Sequence, residues 1–450
     1  MTSGQPAVWP TTYDRVGHWL CATDHTRLGS RYLVLCGVVL AATISAQVDP
    51  AAAPDRVLIL TMLLVLPGML GGFGHWLVPR MIGASRMAFP RAGATGFWMF
   101  VVALGLSAIG VARQSNAWLH AASVLAAVHA ALLALNHVTT IVIMPARITA
   151  LRRAPFFVWG VLGASGAVLL FVPVLAGAAT VLGLTSTLPD RSSPDAVWAL
   201  LHPAAIIAVL PTVGMLADIA VPSNDAIGPV WVRARYGLLA IGLLCVVLWV
   251  HGVLAQPDAS PTWGLTGERV ITGGTALVVI ALVPLFREQD RLDAARLWAQ
   301  GALFVVLTAV AAEFVLLAER VPDRFGHFQT ALSLGCVLAG FAGLYHGVGR
   351  VFGRSMREVW GRAHFATGFV GVNLALLPAH IVTIAPGLAG PMPSASFRAM
   401  HAIGTGLVLL SLLVFVIGLA EAVPWGDGAA DPHTAERFAR PGPGQRRRNV

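Results

Sequence analysis

Long apolar runs alternate with short polar punctuation along the whole of this chain. About twelve of the runs reach the roughly 20 residues that a helix needs to cross a bilayer. They centre near Val38, Leu64, Val102, Ala131, Leu170, Val209, Leu244, Val278, Val306, Val337, Leu374 and Leu410. The pattern predicts an all-α polytopic membrane protein with about twelve transmembrane helices. Composition agrees: 56 % of the 450 residues are hydrophobic, 11 % are charged and the mean hydropathy is +0.75. That excludes a soluble domain of this length. No internal repeat stands out, so the chain reads as three parts. Residues 1–28 are a cytoplasmic lead and 29–422 a twelve-helix membrane domain. Residues 423–450 are a basic cytoplasmic tail, rich in Gly, Pro and Arg, with nothing to bury and therefore disordered. No small-residue cleavage site follows the first run, which reads as a retained span and not a signal peptide.

A net charge of +9 raises the question of a nucleic-acid partner, and its distribution answers it. Arginines collect in alternate loops: Arg80, Arg86 and Arg91; Arg147, Arg152 and Arg153; Arg350, Arg354, Arg357 and Arg362; then Arg446, Arg447 and Arg448. The intervening loops are acidic or balanced, with Asp49, Asp55, Asp190, Asp195, Asp258 and Glu268. This is the positive-inside bias of a multi-pass chain. It puts both termini in the cytoplasm of a bacterial-type inner membrane, with the lipid bilayer as partner and no nucleic acid. The cysteines at 21, 36, 245 and 336 are isolated, with neither CxxC nor CxxCH. They form no disulfide framework, zinc site or covalent haem attachment and read as small buried hydrophobes.

Histidine carries the candidate chemistry. A polar group at bilayer depth turns towards protein or water and marks a functional site by default. A neutral imidazole is also the commonest metal ligand. The organising stretch runs from Trp198 to Pro211 and holds His202-Pro203 early in an inward-running span. His251 lies about one turn below the outer end of the next span, and His327 opens span ten in Gly326-His327-Phe328-Gln329. Three spans therefore each offer an imidazole to the outer third of the bilayer. The structural alternative is a histidine facing the interface, as His120 and His380 show the chain tolerates. Span four, with His120, His129, Asn136 and His137, is unusually polar.

The inner-loop run Gly71-Gly-Phe-Gly-His-Trp-Leu-Val-Pro-Arg-Met-Ile-Gly-Ala-Ser-Arg-Met-Ala-Phe-Pro-Arg91 closely resembles subunit I of the haem–copper oxidases, the cytochrome c oxidase type. So do Asp24-His-Thr-Arg-Leu-Gly29, Leu135-Asn-His-Val-Thr-Thr-Ile141, Pro155-Phe-Phe-Val-Trp159 with Pro173-Val-Leu-Ala176, and Gly368-Phe-Val-Gly-Val-Asn373 with Leu377-Pro-Ala-His380. The matches fall in order along nearly the whole chain. The resemblance implies a cytochrome c oxidase subunit I-like bundle holding a low-spin haem, a high-spin haem and a copper ion. Its copper ligands are a histidine in a His-Pro-Glu-Val-Tyr motif and a His-His pair one helix later. Here these become His202-Pro203 and His251-Gly252, while the family's His-Phe-His haem motif becomes His327-Phe328-Gln329. His327 then matches the axial ligand of the high-spin haem.

Departures from that pattern are concentrated at functional positions. Of the two low-spin haem ligands, one is Gln329 and the other, counted back from Pro67, is Arg56; the arginine that contacts this haem reads as Ser45. Low-spin iron needs two strong axial ligands, which an amide and a guanidinium do not supply, so this haem is expected to be absent. His202 and His251 supply two imidazoles where the family uses three. Two can hold cuprous copper weakly, or a third ligand comes from elsewhere. Glu313, in the outer part of span nine, is the carboxylate at comparable depth. It reads as an auxiliary ligand, a proton carrier or a structural partner of Arg320. The proton machinery also departs: the acidic loop residue is Arg86, the glutamate after His-Pro is Ala204, the tyrosine is Ile206 and the channel lysine falls near Leu285. The four tyrosines, Tyr13, Tyr32, Tyr236 and Tyr345, lie at the inner side or outside the membrane.

Two functions compete. The first is a divergent respiratory-oxidase subunit I that binds one high-spin haem, with copper possible, works beside a subunit II- or III-like partner, and does limited redox or gas-ligand chemistry. The second is a non-catalytic paralogue acting as scaffold or assembly partner of oxidase subunits. Enzymatic activity is open. Oxygen reduction with proton pumping is not expected, and the electron donor and haem type are not legible. A twelve-helix transporter fits the span count only, lacking inverted repeats, and nitric oxide reduction lacks an added glutamate beside the copper-type histidines.

Overall fold

The computed structural model describes residue 17 and residues 21–47, 64–145, 151, 153–185, 194–221, 228–254, 280–286, 292–319, 324–384 and 395–422. Every regular element among them is helical. In chain order these are α1 (His25–Gln47), a π-helical stretch (Pro67–Gly74) running into α2 (His75–Ile82), α3 (Pro90–Ala112) and α4 (Asn116–Ile143). Next come α5 (Phe156–Thr185), α6 (Pro194–Ala220), α7 (Pro229–Leu254) and a 3-10 turn (Val283–Phe286). The last four are α8 (Ala294–Glu319), α9 (Arg324–Phe352), α10 (Glu358–Ile384) and α11 (Ala395–Ala422). Eleven of the twelve apolar centres fall within helix; Val278 lies outside the described residues, as do Arg56, Arg320 and the 423–450 tail. Six of the described helices, α1, α3, α4, α5, α9 and α11, contain a stretch long and apolar enough to cross a membrane. The chain is an all-α polytopic membrane protein.

The first span begins at His25, earlier than its apolar run. Asp24 caps it, its carboxylate accepting the Arg27 N–H at 2.9 Å, as a short acidic side chain does at a helix start. The chain divides into two compact units, one of residues 1–40 and 54–278, the other of 41–53 and 279–450.

In the first unit, glycines bring helices into backbone contact. A Cβ on Gly71 would stand 2.6 Å from the Tyr32 ring, and one on Gly72 would stand 2.5 Å from Leu33. Where α5 crosses α6, Gly160 abuts the Leu210 carbonyl and Gly214 would set a Cβ 2.6 Å from the Phe156 carbonyl. Small residues allow this close approach between membrane helices. Asp218, buried in the last turn of α6, accepts the Phe156 and Phe157 N–H groups at 2.8 and 2.9 Å. It thereby satisfies two of the donors that the start of α5 leaves without helical partners. The Arg235 guanidinium of α7 sits 4.7 Å above the Phe156 ring.

In the second unit, α10 and α11 meet through a reciprocal glycine contact. A Cβ on Gly371 would reach the Gly404 carbonyl at 2.8 Å, and one on Gly404 would reach the Gly371 carbonyl at 2.7 Å. Trp298 of α8 is buried among Phe341, His364 and Phe365. Glu358, at the start of α10, accepts the Ala294 N–H at 2.9 Å and caps α8.

Asp218→Ala leaves two buried N–H groups without acceptors. It is expected to cost about 1–3 kcal/mol for each group left unmet and to lower the unfolding midpoint of the detergent-solubilised protein, with Asp218→Asn losing less. An unchanged midpoint for Asp218→Ala would show the cap to be dispensable.

Candidate functional site

The histidines picked out in the sequence all fall on helices. His202 lies eight residues into α6, about 12 Å from its start, and His251 lies in the last turn of α7. The two helices follow one another and pack together within the first unit. Ala204 and Ile206 share α6, and Gly252 follows His251 on α7. His327 and Gln329 open α9, and Glu313 lies in the later part of α8, which packs on α9 within the second unit. Leu285 is in the 3-10 turn. The side chains of His202, Ala204, Ile206, His251, Gly252, Leu285, Glu313, His327, Gln329 and also Ser45 lie outside the described residues. Arg86 is exposed in the loop between α2 and α3. Among the described residues, no group of three His, Cys, Asp or Glu side chains is arranged to hold a metal ion.

A second set of histidines is fully drawn. His75, the residue at which the π-helical stretch gives way to α2, is completely buried. Its Nδ1 donates to the Gly71 carbonyl at 2.9 Å. His137 of α4 is also completely buried, and its Nδ1 donates to the Leu133 carbonyl at 2.8 Å. The two rings meet edge to face, with centroids 5.1 Å apart. Tyr32 of α1 stacks on His75 at 5.8 Å and turns its hydroxyl towards His129, 3.4 Å from Nδ1. That nitrogen donates to the Gly96 carbonyl at 2.9 Å, and Phe100 stacks on the His129 ring at 4.8 Å. At the edge of the cluster, His25 Nδ1 donates to the His75 carbonyl at 2.9 Å. Since a carbonyl only accepts, each of these imidazoles carries its proton on Nδ1 in the neutral form.

The same face of α4 fastens the loop that leads into α3. Asn136 grips the Phe89 backbone twice, its Oδ1 accepting the N–H at 2.9 Å and its Nδ2 donating to the carbonyl at 3.2 Å. Thr140 Oγ1 accepts the Ala88 N–H at 2.9 Å. In the second unit, Tyr345 of α9 and His364 of α10 share a hydrogen bond of 3.1 Å beside Trp298, whose ring centroid is 4.4 Å from that of His364.

Sequence reading registered span four as polar and quoted His75 within the Gly71–Arg91 run, without bringing the two together. A signal was present. Residues 129, 136, 137 and 140 recur at helical spacing on one face, and Gly71-Gly-Phe-Gly74 marks a close approach of another element just before His75.

Residues 35–425 match the family of cytochrome C and quinol oxidase polypeptide I. The chain belongs to this family. Two relatives fit the match. The cytochrome c oxidase subunit 1 of Cereibacter sphaeroides is 28 % identical over 72 % of this chain, and that of Synechocystis sp. is 29 % identical over 83 %. The matched segments cover 66 % and 75 % of those proteins' lengths, the first just short of two thirds.

Membership makes this oxidase-family chain a multi-pass membrane protein. Its matched span contains His202, His251, Glu313 and His327, and also His75, His129 and His137; His25 and Tyr32 precede it. Asn136→Leu removes both hydrogen bonds to Phe89. It is expected to destabilise the protein by about 1–3 kcal/mol and to speed tryptic cleavage after Arg86. Cleavage at the unmodified rate would show that Asn136 does not hold the loop.

Proposed function

We propose that this member of the oxidase subunit I family keeps one high-spin haem, held by His327, and a reduced copper ion held by His202 and His251. We further propose that it lacks the low-spin haem and the proton-conducting side chains. The observation that carries the reading is the donor set at family positions. Imidazoles stand at the high-spin haem and copper positions, while Gln329 and Arg56 stand where the resemblance asks for the two low-spin ligands. Neither an amide nor a guanidinium is a strong axial ligand for iron. Packing of α6 on α7 supports the copper half, because the His202 and His251 positions lie towards facing ends of two adjacent helices.

A five-coordinate haem with a neighbouring cuprous ion supplies one-electron chemistry and a gas-binding position when bound. The chain's own residues set limits on its use. Ile206 has no hydroxyl to give a proton and an electron, and Ala204 has no carboxylate to carry a proton inward. Four-electron reduction of oxygen by the family route therefore lacks its tyrosine and glutamate proton donors at these two positions. Glu313 is the auxiliary group, as a ligand or a proton carrier. An oxidase subunit II- or III-like protein is the proposed partner, and the bacterial inner membrane the proposed location, with both termini cytoplasmic. The departures at Gly252, Ala204 and Gln329 also favour a second reading, a non-catalytic scaffold for oxidase assembly.

A reduced-minus-oxidised spectrum with metal analysis of the purified protein separates these readings. One haem per chain with a high-spin band and no low-spin band is expected, lost in His327→Ala. Two haems would overturn the assignment of Arg56 and Gln329, and no haem would leave the scaffold reading.

A further inference from the structure

Among the tyrosines whose side chains are described, Tyr345 is set apart by facing a base with a lone pair to offer. Tyr236 of α7 is exposed and packs its ring on Trp159. Tyr32 turns its hydroxyl towards His129 Nδ1, but that nitrogen gives its own proton to the Gly96 carbonyl at 2.9 Å and has no lone pair left. Tyr345 lies 3.1 Å from His364 Nδ1, and among the described residues this nitrogen has no backbone acceptor.

The direction of the Tyr345–His364 bond follows from what each choice leaves unmet. If the phenol donates, the buried Nε2–H of His364 lacks a partner. If Nδ1 donates, the phenol proton and an Nε2 lone pair both lack one. Each such group costs free energy, so the phenol is the donor and His364 the neutral base.

The surroundings suit a proton that arrives at His364. Its ring is completely buried, and the rings of Trp298, Phe341 and Phe415 stand 4.4, 4.6 and 5.1 Å from it, centroid to centroid. Aromatic rings stabilise a neighbouring cation. Gly361 lets α10 lie against the phenol, since a Cβ there would come 3.1 Å from the Tyr345 ring. Trp298 has a buried N–H without an acceptor among the described residues. It would keep its proton on losing an electron, so oxidation settles on the tyrosine and not on the indole.

We propose that Tyr345 is a redox-active tyrosine whose oxidation is coupled to proton transfer onto His364. One electron leaves the phenol for a one-electron oxidant, an oxidised metal complex, which is reduced by one unit. The O–H bond breaks and an N–H bond forms at His364 Nδ1. The products are a neutral tyrosyl radical and an imidazolium, and re-reduction of the radical returns the proton. This site uses none of the haem or copper positions and does not depend on the function proposed above.

The test uses the full-length protein in detergent, in a Tyr13→Phe/Tyr236→Phe background that leaves Tyr345 and Tyr32 to compare. Flash-generated ruthenium(III) tris-bipyridine is the oxidant, and electron paramagnetic resonance reads the radical. A tyrosyl signal is expected, lost on adding Tyr345→Phe and kept on adding Tyr32→Phe. His364→Gln should slow its formation roughly a hundredfold, the lower end of what a positioned base contributes. Without the His364 substitution, a 15N-histidine label should add a nitrogen coupling to the radical, a readout that needs no altered base. A signal that survives Tyr345→Phe, formation at an unchanged rate in His364→Gln, or no coupling to histidine nitrogen would overturn the proposal.

Discussion

A polar atom carried into a bilayer has only the rest of the protein to pair with, and that constraint organises the structure. His75, His129 and His137 each give their Nδ1 proton to a backbone carbonyl. Thr140 gives its hydroxyl proton to the Asn136 carbonyl at 2.6 Å. Asp218 takes two N–H groups from the start of α5, and Tyr345 pairs with His364. Leaving a group without a partner in hydrocarbon costs several kcal/mol, by the order of magnitude known for such transfers. Each of these side chains therefore fixes the position of the backbone it touches as much as its own.

Close backbone approach is the condition that makes this pairing possible. Gly71, Gly72 and Gly74 stand where the π-helical stretch meets Tyr32, Leu33 and His137, and any Cβ there would lie about as close as a hydrogen bond is long. The same logic holds the α5–α6 crossing through Gly160 and Gly214, and the α10–α11 contact through Gly371 and Gly404. Without a hydrophobic force between helices already surrounded by lipid, such packing and hydrogen bonding supply the association.

Two populations of histidine follow. His75, His129 and His137 are embedded in packed helices with their tautomers set by backbone acceptors. His202, His251 and His327 belong to α6, α7 and α9 at positions that the family resemblance ties to metal and haem. The first population acquires its meaning from neighbours on other helices. The second acquires its meaning from the resemblance alone, and the replacements proposed there, Gln329, Arg56, Gly252, Ala204 and Ile206, would change donor chemistry and not shape.

The chain's order of residues by itself determined the class of fold, the spans and the family. Run length against bilayer thickness is a local property, and the motifs from Asp24-His to Leu377-Pro-Ala-His380 are contiguous in sequence. It also carries the proposal that family ligands are replaced, since a ligand's chemistry belongs to the residue. Tertiary structure alone decided that His75 meets His137, that Asn136 grips Phe89 across 47 residues of chain, and that Asp218 caps a helix begun 62 residues earlier. Those pairings depend on helix rotation and crossing. Periodicity shows which side of a helix is polar, but only the packing of two backbones shows what that side touches.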